Sequence, residues 1–254
     1  MKLKKSLSPI RKNAVLCILS IIFIAISFSF ARSFVKTGAF KDRLWLHRTL
    51  SMEKMEEKAY SYPNVETDVV WRNGFYDVTH DIDVSYGLRL DSILAEVSRR
   101  GSQIWLDFKN LSEKNSDAAL RELDRLSEGI PHGHIIVESP EWRQLKKFRD
   151  SGYLTSCYVL PRRKHLDSRS QKLLLDSIAE IIVPSGCVTS ISFDKEWYFP
   201  ISNRLKGYDI DLLTWSHHTD EWLFWILPES YFLENNPQLK VILVKSKAKN
   251  SVNR

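Results

Sequence analysis

Eight short runs of apolar and β-branched residues recur along this chain with amphipathic segments between them, and that alternation limits the fold more than any other feature. The runs are LWLHRT (44–49), VETDVVW (65–71), IWLDFK (104–109), HIIVES (134–139), LTSCYVL (154–160), CVTSISFD (187–194), DLLTWS (211–216) and VILVKS (241–246). Between them, residues 51–60, 90–100, 116–126, 141–150 and 168–181 place apolar side chains at three- and four-residue spacing, the mark of a helix with one buried face. The stretch after the seventh run, DEWLFWILPES, is rich in aromatics, is broken at Pro228, and is the weakest helical segment. Alternating strands and helices imply parallel strands joined by crossover helices. Eight such units in a chain of this length predict an α/β fold of the small TIM (β/α)8 barrel type.

The chain holds 254 residues, and its net charge of +6 is unevenly placed. Residues 1–40 carry seven bases and no acid, which leaves 30 bases against 31 acids in the rest. A near-neutral folded part lacks the clustered basic face that a phosphate backbone requires, so nucleic acid is not expected as a partner. Residues 14–30 (AVLCILSIIFIAISFSF) form an uncharged, mostly apolar run preceded by five bases. Such a run reads as an export signal or membrane anchor, with the basic flank on the cytoplasmic side and the remainder beyond the membrane. Ser29 and Ala31 suit a cleavage site, so a retained anchor and a secreted or periplasmic product are both open. The expected organisation is a basic, hydrophobic signal or anchor over 1–36, a barrel over 37–247 and a basic tail over 248–254. Cys157 and Cys187 could pair in an exported protein or remain buried thiols.

In such a barrel the chemistry gathers at the C-terminal ends of the strands. His47 and Arg48 close the first run. Glu66 and Asp68 lie two apart on the second, and Asp107 and Lys109 repeat that spacing on the third, so each pair shares a face. Three converging carboxylates repel one another and resist ionisation unless a cation sits among them. An all-oxygen set calls for a hard divalent ion such as Mg²⁺ or Ca²⁺. Asn73-Gly74 predicts a tight hairpin after the second run. A two-residue turn pairs Arg72 with Phe75 and sets His80 opposite Thr67, near the carboxylates. A three-residue turn with a bulge would shift the register and reverse the face that His80 presents. Two imidazoles beside one metal suit cleavage of a phosphodiester, one removing a proton from the attacking hydroxyl and the other protonating the leaving oxygen.

The set HR (47–48), E-x-D (66–68), HD (80–81), D-x-K (107–109) and TW (214–215), in this order at strand ends, resembles the glycerophosphodiester phosphodiesterase and phospholipase-C-like superfamily, including its sphingomyelinase D branch. The resemblance covers roughly residues 44–245 and is densest in the first third. It implies His47 and His80 as the acid/base pair and Glu66, Asp68 and Asp107 as metal ligands. Lys109 would contact the substrate phosphate, Arg48 would bind the substrate, and Trp215 would wall the pocket. Thr49 stands where glycerophosphodiesterases usually carry Gly, and Asp107 where they carry Glu; Asp-x-Lys is closer to the sphingomyelinase D pattern. Only 25 residues separate Asp81 from Asp107, too few for the small inserted subdomain of the bacterial enzymes. The implied pocket is more open, with room for a lipid.

Each motif alone has a plainer reading, since an E-x-D on a strand is usually a solvated face and a His-Arg pair usually lies on the surface. Their conjunction carries the argument. His132 and His134 precede the fourth run and are assigned to structure; His217, His218, Arg162 and Arg163 lie on the mouth side as loop charges or substrate contacts. Glu138, Ser139, Ser192 and Asp194 are weaker pocket candidates. The leading expectation is a metal-dependent phosphodiester hydrolase or lyase acting on a glycerol- or lipid-derived diester. The alternatives are a non-catalytic, membrane-anchored barrel that binds a ligand or partner, and a glycosidase working through Glu66 or Glu138.

Overall fold

A computed structural model describes residues 9–35, 42–220, 232–233 and 235–246, with side chains at 13–27, 42–215, 232–233 and 235–246. All eight expected strands form: β1 (Leu44–Leu46), β2 (Val65–Arg72), β4 (Ile104–Phe108), β5 (Ile135–Ser139), β6 (Leu154–Tyr158), β7 (Ser190–Asp194), β8 (Asp211–Asp220) and β9 (Leu239–Lys245). They pair in parallel in the order β1-β9-β8-β7-β6-β5-β4-β2, and Leu46 of β1 against Val65 of β2 closes the ring. The result is the expected eight-stranded parallel barrel.

One further strand, β3 (Phe75–Val78), runs antiparallel to the upper half of β2. Its register begins with Arg72 against Phe75, the two-residue alternative. Asn73 (φ 53) and Gly74 (φ 85) take the left-handed conformations that such a turn demands, which is why this dipeptide is found there. β1 is only three residues long, so the upper edge of β2 would otherwise be open on that side. β3 covers it and then delivers residues 79–81 to the barrel mouth. Gly74→Val is expected to lower stability by about 1 kcal/mol or more, because a β-branched residue resists φ > 0. Thermal unfolding beside turnover checks this, with activity falling more steeply than stability if the turn also positions His80.

The crossover helices are α2 (Met52–Lys58), α3 (Leu90–Arg100), α4 (Ser116–Leu126), α5 (Leu145–Asp150), α6 (Ser168–Ser177) and α7 (Tyr198–Arg204). α3 and α4 match their expected bounds. α5 begins four residues later than expected, since Pro140 and the turn after it occupy the start of that segment. α6 widens into a single π turn over Ile178–Ile182 just before Pro184, whose ring cannot accept a regular preceding turn. The helical segment expected after the seventh run lies, beyond Asp220, outside the described residues. So do residues 36–41 and 247–254, so the expected limits of the barrel and tail run past what is described.

Burial falls into two layers. The outward faces of the strands and the inner faces of the helices form one large cluster that includes Val69, Phe108, Val137, Ile191 and Leu212. Inside the barrel a smaller cluster of Trp45, Trp105, Ile136, Leu213, Trp215, Val241 and Leu243 fills the bore. Cys157 and Cys187 are buried free thiols.

The N-terminal run forms α1 (Pro9–Val35), and its described side chains, residues 13–27, are all exposed. Among the described residues no helix is long and apolar enough to cross a membrane. The expected anchor therefore gains no support from the fold.

Candidate active site

The C-terminal mouth of the barrel opens into one cleft of about 110 Å³. His47, Arg48, Glu66, Asp68, His80, Asp107, Lys109 and Trp215, drawn from β2, β4, β8 and the segments that follow β1, β3 and β4, all line it. Trp105, Glu138, Tyr158 and Leu243 complete the wall. Register explains the convergence: Asp68 of β2 pairs with Asp107 of β4, and Asp107 with Glu138 of β5, so three adjacent strands present carboxylates at one level. The opposite wall, on β8 and β9, carries Trp215 and Leu243. Polar and apolar halves of the bore thus face each other across the cleft.

Glu66, Asp68 and Asp107 each offer a carboxylate oxygen within 4.8 Å of the others. Burial, then the charges of Asp68 and Asp107, push Glu66 well above the usual carboxylate range. Asp107 is also raised, chiefly by burial, although Lys109 opposes the shift. Lys109 lies 2.6 Å from Asp68 Oδ1 and also bonds Asp107, and those two carboxylates hold its ammonium above the ordinary lysine value against the effect of burial. The donor set is all oxygen and largely buried, and Asp68 Oδ2 is buried without a hydrogen-bond partner among the described residues. These properties fit a hard divalent cation held by Glu66, Asp68 and Asp107.

Local backbone sets the two residues after β1. Arg48 takes a left-handed conformation (φ 54), which costs a non-glycine residue about 1–2 kcal/mol. Three sets of bonds hold it there. Its N–H donates to Glu66 Oε2 at 2.6 Å, and the Thr49 N–H donates to the Glu66 carbonyl at 2.8 Å. Lys54 of α2 donates to the carbonyls of His47 and Arg48 at 2.7 and 2.8 Å. Burial pushes the Lys54 ammonium down to about 8. Nothing in the residue pattern marks Lys54, because it is one of several charges on a short helix and only the fold turns it inward. Lys54→Met is expected to release this clamp and weaken divalent-metal affinity roughly tenfold by loosening Glu66. Calorimetric titration checks it, and unchanged affinity would make the clamp structural only.

His47 Nε2 lies 3.8 Å from Glu66 Oε2 in a buried position. His80 stands across the cleft, with Nδ1 2.8 Å from Asp81 Oδ1 and Nε2 2.7 Å from Arg48 Nη2. A guanidinium can only donate, so Nε2 accepts and Nδ1 carries the proton toward Asp81. Arg48 also approaches Asp68 Oδ2 at 3.9 Å. Trp215 stacks its edge on Trp105 (6.4 Å between centroids) and lies 5.1 Å from Tyr158.

Other candidates separate. His132 stacks on Tyr153 at 4.1 Å and bonds the Ser151 carbonyl below the strands, away from the cleft. Arg163 bonds Gln171 on the surface. His217 and His218 lie in β8, but their side chains are outside the described set. Glu138 is a full member of the cleft wall; Trp105 and Tyr158 were missed. Trp105 could have been found from Asp107, because a residue two positions earlier on a strand shares its face.

No family model and no curated protein matches the sequence. Solved structures do match the fold. A protein from Silicibacter pomeroyi DSS-3 assigned as a glycerophosphoryl diester phosphodiesterase superposes with a TM-score of 0.52 at 14% identity, covering 80% of this chain and 89% of that one. A Galdieria sulphuraria protein assigned as a glycerophosphodiester phosphodiesterase gives a TM-score of 0.54 at 12% identity, covering 80% and 93%. Identities this low establish architecture rather than activity: this chain has the parallel (β/α)8 barrel fold of structures assigned as glycerophosphodiester phosphodiesterases.

Proposed function

We propose that this protein is a metal-dependent phosphoric diester hydrolase, or a cyclising lyase, acting on a glycerol- or lipid-derived phosphodiester with His47 and His80 as its acid/base pair. The observation that carries the reading is the meeting of two imidazoles, three carboxylates and two cations in one cleft at the barrel mouth. The names of the two fold neighbours support the same chemistry.

Glu66, Asp68 and Asp107 would hold the metal, Mg²⁺ or Ca²⁺ by the chemistry of the set. A bound divalent ion supplies charge stabilisation to the phosphoryl oxygens. His80, with Nδ1 committed to Asp81, offers Nε2 as the proton acceptor for the attacking hydroxyl. That nitrogen is released from Arg48 when the guanidinium turns to a phosphoryl oxygen. His47, whose Nε2 lies 3.8 Å from Glu66 Oε2, donates a proton to the leaving oxygen as the P–O bond breaks. Lys109 adds positive charge next to the phosphate, and Trp215 with Tyr158 forms an apolar wall for the organic group. Water as attacker gives hydrolysis; a substrate hydroxyl gives a cyclic product.

The test is turnover of bis(p-nitrophenyl) phosphate and a panel of glycero- and lysophosphodiesters by the full chain with Mg²⁺, Ca²⁺ or chelator. Turnover that needs metal is the expected result. A folded protein that binds metal and cleaves nothing would instead favour a ligand-binding barrel. The exposed, uncharged side chains of residues 13–27 and the basic flank before them support a lipid or export partner for α1, with the barrel outside the cytoplasm. Fractionation and the mass of the mature chain check this; a full-length soluble cytoplasmic product would end the idea.

A further inference from the structure

Trp105 Nε1 and Glu138 Oε2 are buried polar atoms with no hydrogen-bond partner among the described residues, and both side chains line the cleft. Trp105 is 1% exposed and Glu138 2%, so open solvent does not serve them. An unmet polar group at this depth is costly, which makes two in one cleft wall a statement about what the cleft receives. The two are diagonal neighbours on paired strands, since Trp105 pairs with Ile136, two residues before Glu138. Glu138 of β5 pairs with Asp107 of β4, and Trp105 lies two residues before Asp107 on the same face. Ser192 of β7, whose hydroxyl donates to the Cys157 carbonyl at 3.2 Å, stands beside the Glu138 carboxyl.

The chemistry of the two atoms selects their ligand. An indole N–H only donates, and a carboxylate oxygen accepts. A phosphoryl oxygen would satisfy Trp105 but be repelled by Glu138. A cation would satisfy Glu138 but leave the indole unmet. A hydroxyl group serves both, accepting from Trp105 and donating to Glu138. We propose that Trp105 and Glu138 form a specificity subsite for an alcohol hydroxyl carried by the substrate close to its phosphate. The proximity to phosphate rests on the phosphodiesterase reading, since Asp107 then lies beside the reacting group.

The experiment compares binding of 2-hydroxypropyl phosphate and propyl phosphate to the full chain with Mn²⁺ by calorimetry, in the wild type, Trp105→Phe and Glu138→Met. Turnover of bis(p-nitrophenyl) phosphate, which has no aliphatic hydroxyl, is followed in parallel. The hydroxylated ester is expected to bind at least ~10-fold more tightly to the wild type, because losing its hydroxyl leaves two buried groups unpaired. That preference should fall to near unity in both variants, with Mn²⁺ affinity unchanged. Trp105→Phe keeps the ring in the bore and decides the matter alone if Glu138→Met fails to fold. Equal binding of the two esters by the wild type, or binding of neither, overturns the subsite. So does a Glu138→Met variant that loses Mn²⁺ but keeps the preference, since Glu138 would then be a metal ligand. A wild type that cleaves bis(p-nitrophenyl) phosphate but shows no preference for the hydroxylated ester condemns the subsite alone; hydroxyl-selective binding without any turnover condemns the hydrolase reading alone.

Discussion

His47→Ala is expected to cut kcat about 10²- to 10⁴-fold on an alkyl phosphodiester yet only slightly on a p-nitrophenyl diester, whereas His80→Ala should fall by a similar factor on both. The asymmetry follows from where the two imidazoles sit. His80 has its Nδ1 proton directed to Asp81 and presents Nε2 as an acceptor, so in the proposed mechanism it serves the attacking hydroxyl whatever leaves. His47 lies 3.8 Å from Glu66 on the other side of the proposed reaction, and in that mechanism it gives its proton to the departing oxygen. An alkoxide needs that proton. A p-nitrophenolate is stable without it, so the acid can be removed at little cost. Steady-state kinetics on matched alkyl and p-nitrophenyl diesters measures the difference. Equal losses for both variants on both substrates would show that the roles are not divided this way, and the reverse pattern would exchange them.

Much of the site was legible before the fold, for a definite reason. Period-two spacing places Glu66 with Asp68 and Asp107 with Lys109 on shared faces, and strand ends in a barrel share one mouth. The hairpin register was also legible, because Asn73-Gly74 admits few turns, and it carried His80 to the right level. The face of His80 was not legible. It depended on which turn the left-handed pair at residues 73–74 makes, and in the fold its Nε2 meets the Arg48 guanidinium at 2.7 Å. Glu138 could be seen only as one acid at one strand end, and what makes it part of the site is the pairing of β5 with β4. Trp105 looks like any inward core aromatic in the sequence, and only the unmet indole N–H in the folded cleft marks it out. Lys54 was hidden for the same reason: pairing between elements distant in sequence, not local pattern, gives it a partner.

Glu66→Gln is expected to make the metal-free protein more stable by about 1 kcal/mol or more while abolishing its stabilisation by Mg²⁺ or Mn²⁺. Glu66 is buried beside Asp68 and Asp107, and burial together with their charge drives its carboxyl well above the usual range. A neutral amide of nearly the same shape removes that conflict. Its carbonyl oxygen can still accept the Arg48 N–H that now reaches Glu66 at 2.6 Å, so the left-handed turn at Arg48 is retained. The cation, however, loses one of three anionic oxygens and much of the charge that would hold it. Thermal unfolding with chelator and with saturating metal gives both halves of the prediction: the wild type should rise with metal, the variant should start higher and stay flat. A wild type indifferent to divalent ions would mean that Lys109 alone balances the carboxylates, and that the cluster is a structural ion pair rather than a metal site. A variant less stable than the wild type in chelator would mean that the Glu66 charge is compensated in the fold, through Arg48 and Lys109, more fully than its burial suggests.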